Sequence, residues 1–158
     1  MQIGLDIGST TVKIAVLDDA GKLLFSKYAR HASRITETIK TILAELAAQM
    51  PWLKTARLAI SGSAGIGVAE SCGVQFVQEV FAEKICTERL NPDTDVVIEL
   101  GGEDAKILFL GRHFDARMND SCAGGTGAFI DQMASLLNVP AEELDKLAAT
   151  AKTRYTIA

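Results

Sequence analysis

The stretch Ile3-Gly4-Leu5-Asp6-Ile7-Gly8-Ser9-Thr10-Thr11-Val12-Lys13-Ile14-Ala15-Val16-Leu17 returns in outline as Val96-Val97-Ile98-Glu99-Leu100-Gly101-Gly102-Glu103-Asp104-Ala105-Lys106-Ile107-Leu108-Phe109-Leu110. An acid, a glycine, a Lys-Ile pair and a closing leucine coincide without a gap. Each copy reads as strand, tight turn, strand, and such self-similarity marks a repeated structural unit. Two copies predict two pseudo-symmetric lobes with a cleft between them. The fold class expected is α/β, with duplicated lobes of mixed sheet and helices: residues 1–92 as the first lobe and 93–158 as the start of the second, with Asn91-Pro92-Asp93 at the boundary. The second copy stops after its helices, so the chain reads as an N-terminal fragment of a longer protein.

Working outward from the first copy, Asp18-Asp19-Ala20-Gly21 is a hairpin turn into a third strand, Leu23 to Tyr28. Ile35, Ile39, Ile42, Leu43, Leu46 and Met50 recur at spacings of three and four, an amphipathic helix that Pro51 closes. Arg57 to Ile60 is a short strand, followed by the small-residue turn Ser61-Gly62-Ser63-Ala64-Gly65. A helix near Val68, a strand near Val74 and a helix from about Val80 complete the order β-β-β-α-β-α-β-α. In the second copy, His113 to Met118 is a third strand, and helices follow from about Thr126 and after Pro140.

Composition bounds the function. Hydrophobic residues are 48 % and charged residues 23 % of the 158, enough apolar material for a core and too much for a disordered chain. The net charge is −4 with no run of Lys or Arg, which argues against a nucleic-acid surface. No apolar stretch approaches the roughly 20 residues that span a bilayer, and Met1-Gln2-Ile3 lacks the basic start of a signal peptide. The expectation is a cytoplasmic protein without membrane or nucleic-acid partners. Three cysteines, an odd number, fit a reducing compartment.

Two motifs carry chemistry. In Asp6-Ile7-Gly8-Ser9-Thr10-Thr11-Val12-Lys13, the glycine lets the backbone approach an anion, and consecutive turn amides can wrap phosphate oxygens. Ser9, Thr10 and Thr11 add hydroxyls, Asp6 suits Mg²⁺, and Lys13 meets phosphate charge or lies in water. In Glu99-Leu100-Gly101-Gly102-Glu103-Asp104, the Gly-Gly pair fits close approach to a β- or γ-phosphate, and Glu103 and Asp104 position metal or water. The plainer alternative for each is an ordinary hairpin with solvated acids; the repeat lowers its weight for both.

Acid-x-Gly-[Ser/Thr]-x-x-x-Lys near the start, with a second acid-x-Gly-Gly hairpin, resembles the actin/Hsp70/sugar-kinase superfamily, whose lobes have the ribonuclease H-like fold. Glu99-Leu100-Gly101-Gly102-Glu103-Asp104-Ala105-Lys106, followed by Met118-Asn119-Asp120-Ser121-Cys122-Ala123-Gly124-Gly125-Thr126-Gly127-Ala128-Phe129, is similar to the ATP-dependent activators of 2-hydroxyacyl-CoA dehydratases and benzoyl-CoA reductases. That resemblance covers essentially the whole chain. It implies ATP/ADP and Mg²⁺ binding, a homodimer whose subunits share one [4Fe-4S] cluster, and an electron passed to a dehydratase or reductase partner. Asp6 and Asp104 are then the catalytic metal and water positioners. Gly8, Ser9, Thr10, Thr11, Lys13, Gly101, Gly102 and Glu103 bind the cofactor, and Cys122 is a cluster ligand. A helix beginning near Gly124 to Gly127 would favour a Cys122 thiolate and an anionic cluster.

There are two departures from the family pattern. Glu99 stands where the family usually has Asp, and the chain ends at Ala158, before the second cluster cysteine and the adenosine-binding segment. The expectation is one cluster ligand per subunit, about half of a nucleotide pocket, and weak or absent ATPase from this chain alone. Cys72 and Cys86 read as small buried hydrophobes, His31 and His113 as surface or hydrogen-bonded histidines, and Trp52 as the cap of a core edge. The competing functions are a sugar- or acetate-kinase-like phosphotransferase, which has no use for Cys122, and a non-catalytic actin-like assembly module.

Overall fold

Alternating residues of the first strand, Ile3, Leu5 and Ile7, face one way, and so do Val12, Ile14 and Val16 of the second; this shared apolar face organises the fold. The structure is a computed structural model and describes residues 1–119 and 126–155. The elements run β1 (Gln2–Ile7), β2 (Thr11–Leu17), β3 (Leu23–Arg30), α1 (Ile35–Gln49), β4 (Arg57–Ser61), α2 (Ile66–Cys72), β5 (Gln75–Phe76) and α3 (Glu79–Leu90). Then come β6 (Val96–Leu100), β7 (Ala105–Phe109), β8 (Asp115–Met118), α4 (Gly127–Leu137), a 3-10 turn (Ala141–Glu143) and α5 (Leu144–Ala149). The order expected for the first eight elements is the order found. The chain packs as two compact units: Met1–Val97 with Ile107–Arg117, and Ile98–Lys106 with Met118–Ala158.

The first sheet has the order β3-β2-β1-β4-β5. The pairs β1–β2 and β2–β3 are antiparallel, whereas β1–β4 and β4–β5 are parallel. The β2–β3 turn is built by Asp18, whose carboxylate accepts the amides of Ala20 and Lys22, and by Gly21 at φ +83. Helix α1 covers the apolar face through Ile42 and Leu46, with Met50 at its C-cap; all three are under a tenth exposed and share one core with Ile7, Val12, Val16 and Ile60. Each such side chain contributes roughly 1.5–3 kcal/mol by leaving water. Leu43 is exposed, because it sits about 100° round the helix from Ile42, on the shoulder of the stripe. On the other face of the sheet, Gly4, Ala15 and Ala59 line a shallow groove with Arg57 and Gln75. The second sheet has the order β6-β7-β8.

Three sequence expectations are corrected. Cys86 is exposed, because the apolar residues of α3 (Val80, Phe81, Ile85 and Leu90) wind round the helix and none of its side chains is buried. Cys72 is exposed as well; it ends α2, where Gly73 at φ +63 turns the chain towards β5 and only Ala69 enters the core. Trp52 is 57 % exposed and does not cap the core edge; the turn after Pro51 closes by Leu53 N–H on Met50 O, and Leu53 packs against the core instead.

Candidate functional site

Two strands running the same way, β1 and β4, end side by side with Asp6 beside Ser61. Sites in sheets of this kind gather where strands present their carboxyl ends, because loops there diverge and leave backbone amides uncommitted. The antiparallel register sets Asp6 opposite Lys13, and the Lys13 ammonium lies 2.8 Å from Asp6 Oδ2. Ser61 Oγ donates to Asp6 Oδ1 at 3.2 Å. Both carboxylate oxygens are thus held, and the side chain stays about a quarter exposed, at 23 %. The turn closes by Gly8 N–H donating to Thr11 O at 2.9 Å, which leaves Ser9 and Thr10 at its tip. Among the described residues the Ser9 and Thr10 amides have no partner.

The β4–α2 turn presses on this hairpin from the side. Ala64 N–H donates to Ile7 O at 2.9 Å. Gly62 has φ +91, and a Cβ there would stand 2.6 Å from Asp6 Oδ1 and also collide with Ile7 O. Only glycine meets both demands. His31, 4 % exposed, lies on the remaining side with its Nε2 3.1 Å from Gly8 O.

The second hairpin repeats the first position by position. Gly101 N–H donates to Asp104 O at 2.8 Å, as Gly8 does to Thr11, and Lys106 Nζ lies 2.6 Å from Glu99 Oε2, as Lys13 does from Asp6. The extra methylene of Glu99 thus still reaches its lysine, but the burial differs: the Lys106 side chain is 6 % exposed and that of Lys13 46 %. The turn tip is Gly102 and the exposed Glu103. The half-buried Asp104 carboxylate has no hydrogen-bond or ion-pair partner among the described residues. Asn119 accepts from Ala105 N–H through Oδ1 at 2.8 Å and donates its own amide to Ala105 O at 3.1 Å, which fixes the chain just beyond β8.

Helix α4 begins directly on this hairpin. Gly127 N–H donates to Gly101 O at 2.8 Å and Ala128 N–H to Gly102 O at 2.9 Å. These are first-turn amides with no partner inside a helix, so the hairpin carbonyls satisfy them. Thr126, at the helix N-cap, is fully buried, and its hydroxyl has no partner among the described residues. Cys122 and the residues around it, 120–125, lie outside the described residues, so the cluster-ligand expectation has no geometry here.

Sequence reasoning named every residue of the two hairpins but missed Ser61, Gly62, His31, Asn119 and Gly127. A glycine-rich turn after a strand parallel to β1 was the available signal for Ser61 and Gly62. His31 had none, because its role depends on β3 ending beside the first hairpin. Among the described residues, no group of three or more His, Cys, Asp or Glu is placed to hold a metal ion, and no helix is long and apolar enough to cross a membrane.

Residues 3–158 match the model of the BadF/BadG/BcrA/BcrD ATPase family. The chain belongs to that family. It is 28 % identical over 159 residues to the (R)-2-hydroxyglutaryl-CoA dehydratase activating ATPase of Acidaminococcus fermentans, covering 98 % of this chain and 60 % of the relative. The crystal structure of A. fermentans (R)-2-hydroxyglutaryl-CoA dehydratase component A superimposes with a TM-score of 0.85 at 26 % identity, over 99 % of this chain and 61 % of that one. The activator of 2-hydroxyisocaproyl-CoA dehydratase from Clostridium difficile, solved with bound ADPNP, gives 0.80 at 26 % identity, over 99 % and 59 %. The fold is accordingly the ribonuclease H-like fold of the actin/Hsp70/sugar-kinase superfamily. The chain spans about three-fifths of the length of these relatives.

Proposed function

We propose that this chain is the phosphate-binding part of an ATP-dependent iron–sulfur activator that passes a low-potential electron to a CoA-thioester dehydratase or reductase. One observation carries the nucleotide part of the reading. Two hairpins repeat the same closure and the same acid–lysine pair, each with turn amides that make no hydrogen bond among the described residues, in a family of ATPases. Consecutive amides at a glycine turn suit phosphate oxygens. Residues 1–92 and 93–158 are read as one lobe and the start of its repeat.

The residues present fit the phosphates of ATP or ADP. The turns offer amides from Ser9, Thr10, Gly102 and Glu103, hydroxyls from Ser9, Thr10 and Thr11, and the Lys13 ammonium. Mg²⁺ dehydrates reluctantly, and both oxygens of Asp6 are already held. Asp6 would therefore act through the water shell of the ion, and Asp104, which has no partner among the described residues, would orient the attacking water. Catalysis on this reading is positioning and charge stabilisation.

The relatives named above activate 2-hydroxyacyl-CoA dehydratases, and on that support the partner is a component of that kind. The reading further takes the activator as a cytoplasmic homodimer. Cys122, in a Cys-Ala-Gly-Gly-Thr-Gly run, would hold one iron of a [4Fe-4S] cluster. When bound, such a cluster supplies a one-electron carrier.

The test is anoxic reconstitution of the full-length protein and of its Cys122→Ala variant with iron and sulfide, reading iron content and native mass. About four irons per dimer, lost in the variant, is the expected result. Iron in neither would remove the electron-transfer reading and leave the phosphate hairpins to a kinase or an assembly switch.

A further inference from the structure

The first hairpin is held from behind by a side chain that neither closes the turn nor belongs to its motif. His31 is 4 % exposed, and its backbone amide donates to Thr10 O at 3.1 Å, continuing the β2–β3 ladder one step beyond Arg30. Ser33 N–H donates to His31 Nδ1 at 3.1 Å, so that nitrogen carries no proton. The ring proton is then on Nε2, which donates to Gly8 O at 3.1 Å. His31 O in turn accepts from Arg34 N–H at 2.7 Å, at the start of α1. The two residues between, Ala32 at φ +44 and Ser33 at φ +65, are left-handed, a conformation that L side chains adopt only when held.

A trans peptide is planar, so the carbonyl of one residue and the amide of the next point in opposite directions. No cis bond occurs among the described residues. Drawing Gly8 O towards His31 therefore aims Ser9 N–H out of the opposite side of the turn and keeps a carbonyl from facing a phosphate. The second hairpin has the same arrangement with a different donor. Gly101, the repeat counterpart of Gly8, has its carbonyl held at 2.8 Å by Gly127 N–H, and Gly102 is held at 2.9 Å by Ala128 N–H. Two unrelated groups, an imidazole and a helix N-terminus, restrain the same carbonyl of the repeat.

We propose that His31 is a positioning residue of the nucleotide site: by holding Gly8 O, it presets the Ser9 amide as a phosphate donor. This rests on the nucleotide reading above. The test compares His31→Gln, whose amide nitrogen can reach the place of Nε2, with His31→Asn, whose amide falls short. Both are made in the full-length protein. Two readouts are taken: deuterium uptake of a peptide covering residues 5–12 and the dissociation constant for Mg·ADPNP. We expect His31→Asn to raise uptake in that peptide and weaken ADPNP about tenfold, and His31→Gln to stay within about twofold of wild type on both. Uptake in a β4 peptide should be unchanged in either variant. If both variants match wild type, or both lose binding in step with the melting temperature, the proposal is overturned. If wild type binds no ADPNP while the uptake difference appears, the nucleotide reading fails and the restraint of Gly8 by His31 stands.

Discussion

Asp6 and Glu99 occupy the same place in the repeat, yet removing their charges should have different consequences. Asp6 pairs with a lysine that is 46 % exposed, and such pairs contribute about 0–1 kcal/mol. Asp6→Asn should therefore leave the melting transition within about 1 kcal/mol of wild type, while reducing the Mg²⁺-dependent part of ADPNP binding at least tenfold. Equal ADPNP affinity with and without Mg²⁺ in wild type would remove Asp6 from its proposed role. Glu99 pairs with Lys106, whose side chain is 6 % exposed. Glu99→Gln weakens the hold on a buried ammonium and should cost more stability than Asp6→Asn, read by urea unfolding. The acids themselves were legible in the sequence. The difference between them was not, because it depends on what covers each lysine.

Elements meet at backbone distance in two places, and glycine decides both. At the β4–α2 turn, Gly62→Ala forces a left-handed alanine against Asp6 Oδ1 and Ile7 O. A loss of roughly 2–4 kcal/mol is expected in urea unfolding, together with weaker ADPNP binding. An unaffected variant would mean that the turn and β1 are not in contact. At the start of α4, a Cβ on Gly127 would stand 3.0 Å from Gly101 O, close enough that the carbonyl would have to shift. Gly127→Ala should separate helix from hairpin and weaken ADPNP about tenfold, whereas the same change at Gly67, where a Cβ meets nothing within 4 Å, should leave affinity unchanged. Helix positions were readable because periodicity is local. Contacts between elements were not, since small residues look alike in sequence whether they fill a turn or admit a neighbour. Cys72 and Cys86 show the converse: their residue type favours burial, yet both are exposed.

For the whole molecule, the chain spans about three-fifths of relatives that activate dehydratases. On the proposed reading, the 158-residue chain alone should hydrolyse Mg·ATP weakly or not at all, measured by phosphate release beside the full-length protein. Robust turnover by the short chain would show that the hairpins described here suffice for catalysis. By itself, the sequence determined the order of strands and helices, the repeat with its two glycine turns, and the family, because these depend on short-range pattern and on residues that recur at fixed spacing. Only the tertiary structure decided which lysine is buried and that Ser61 and Gly62 flank Asp6. It alone brought a histidine from the end of β3 and the first amides of α4 to equivalent carbonyls. Those pairings join residues up to 55 positions apart, and their partners are selected by the parallel β1–β4 pairing and by packing rather than by any local signal.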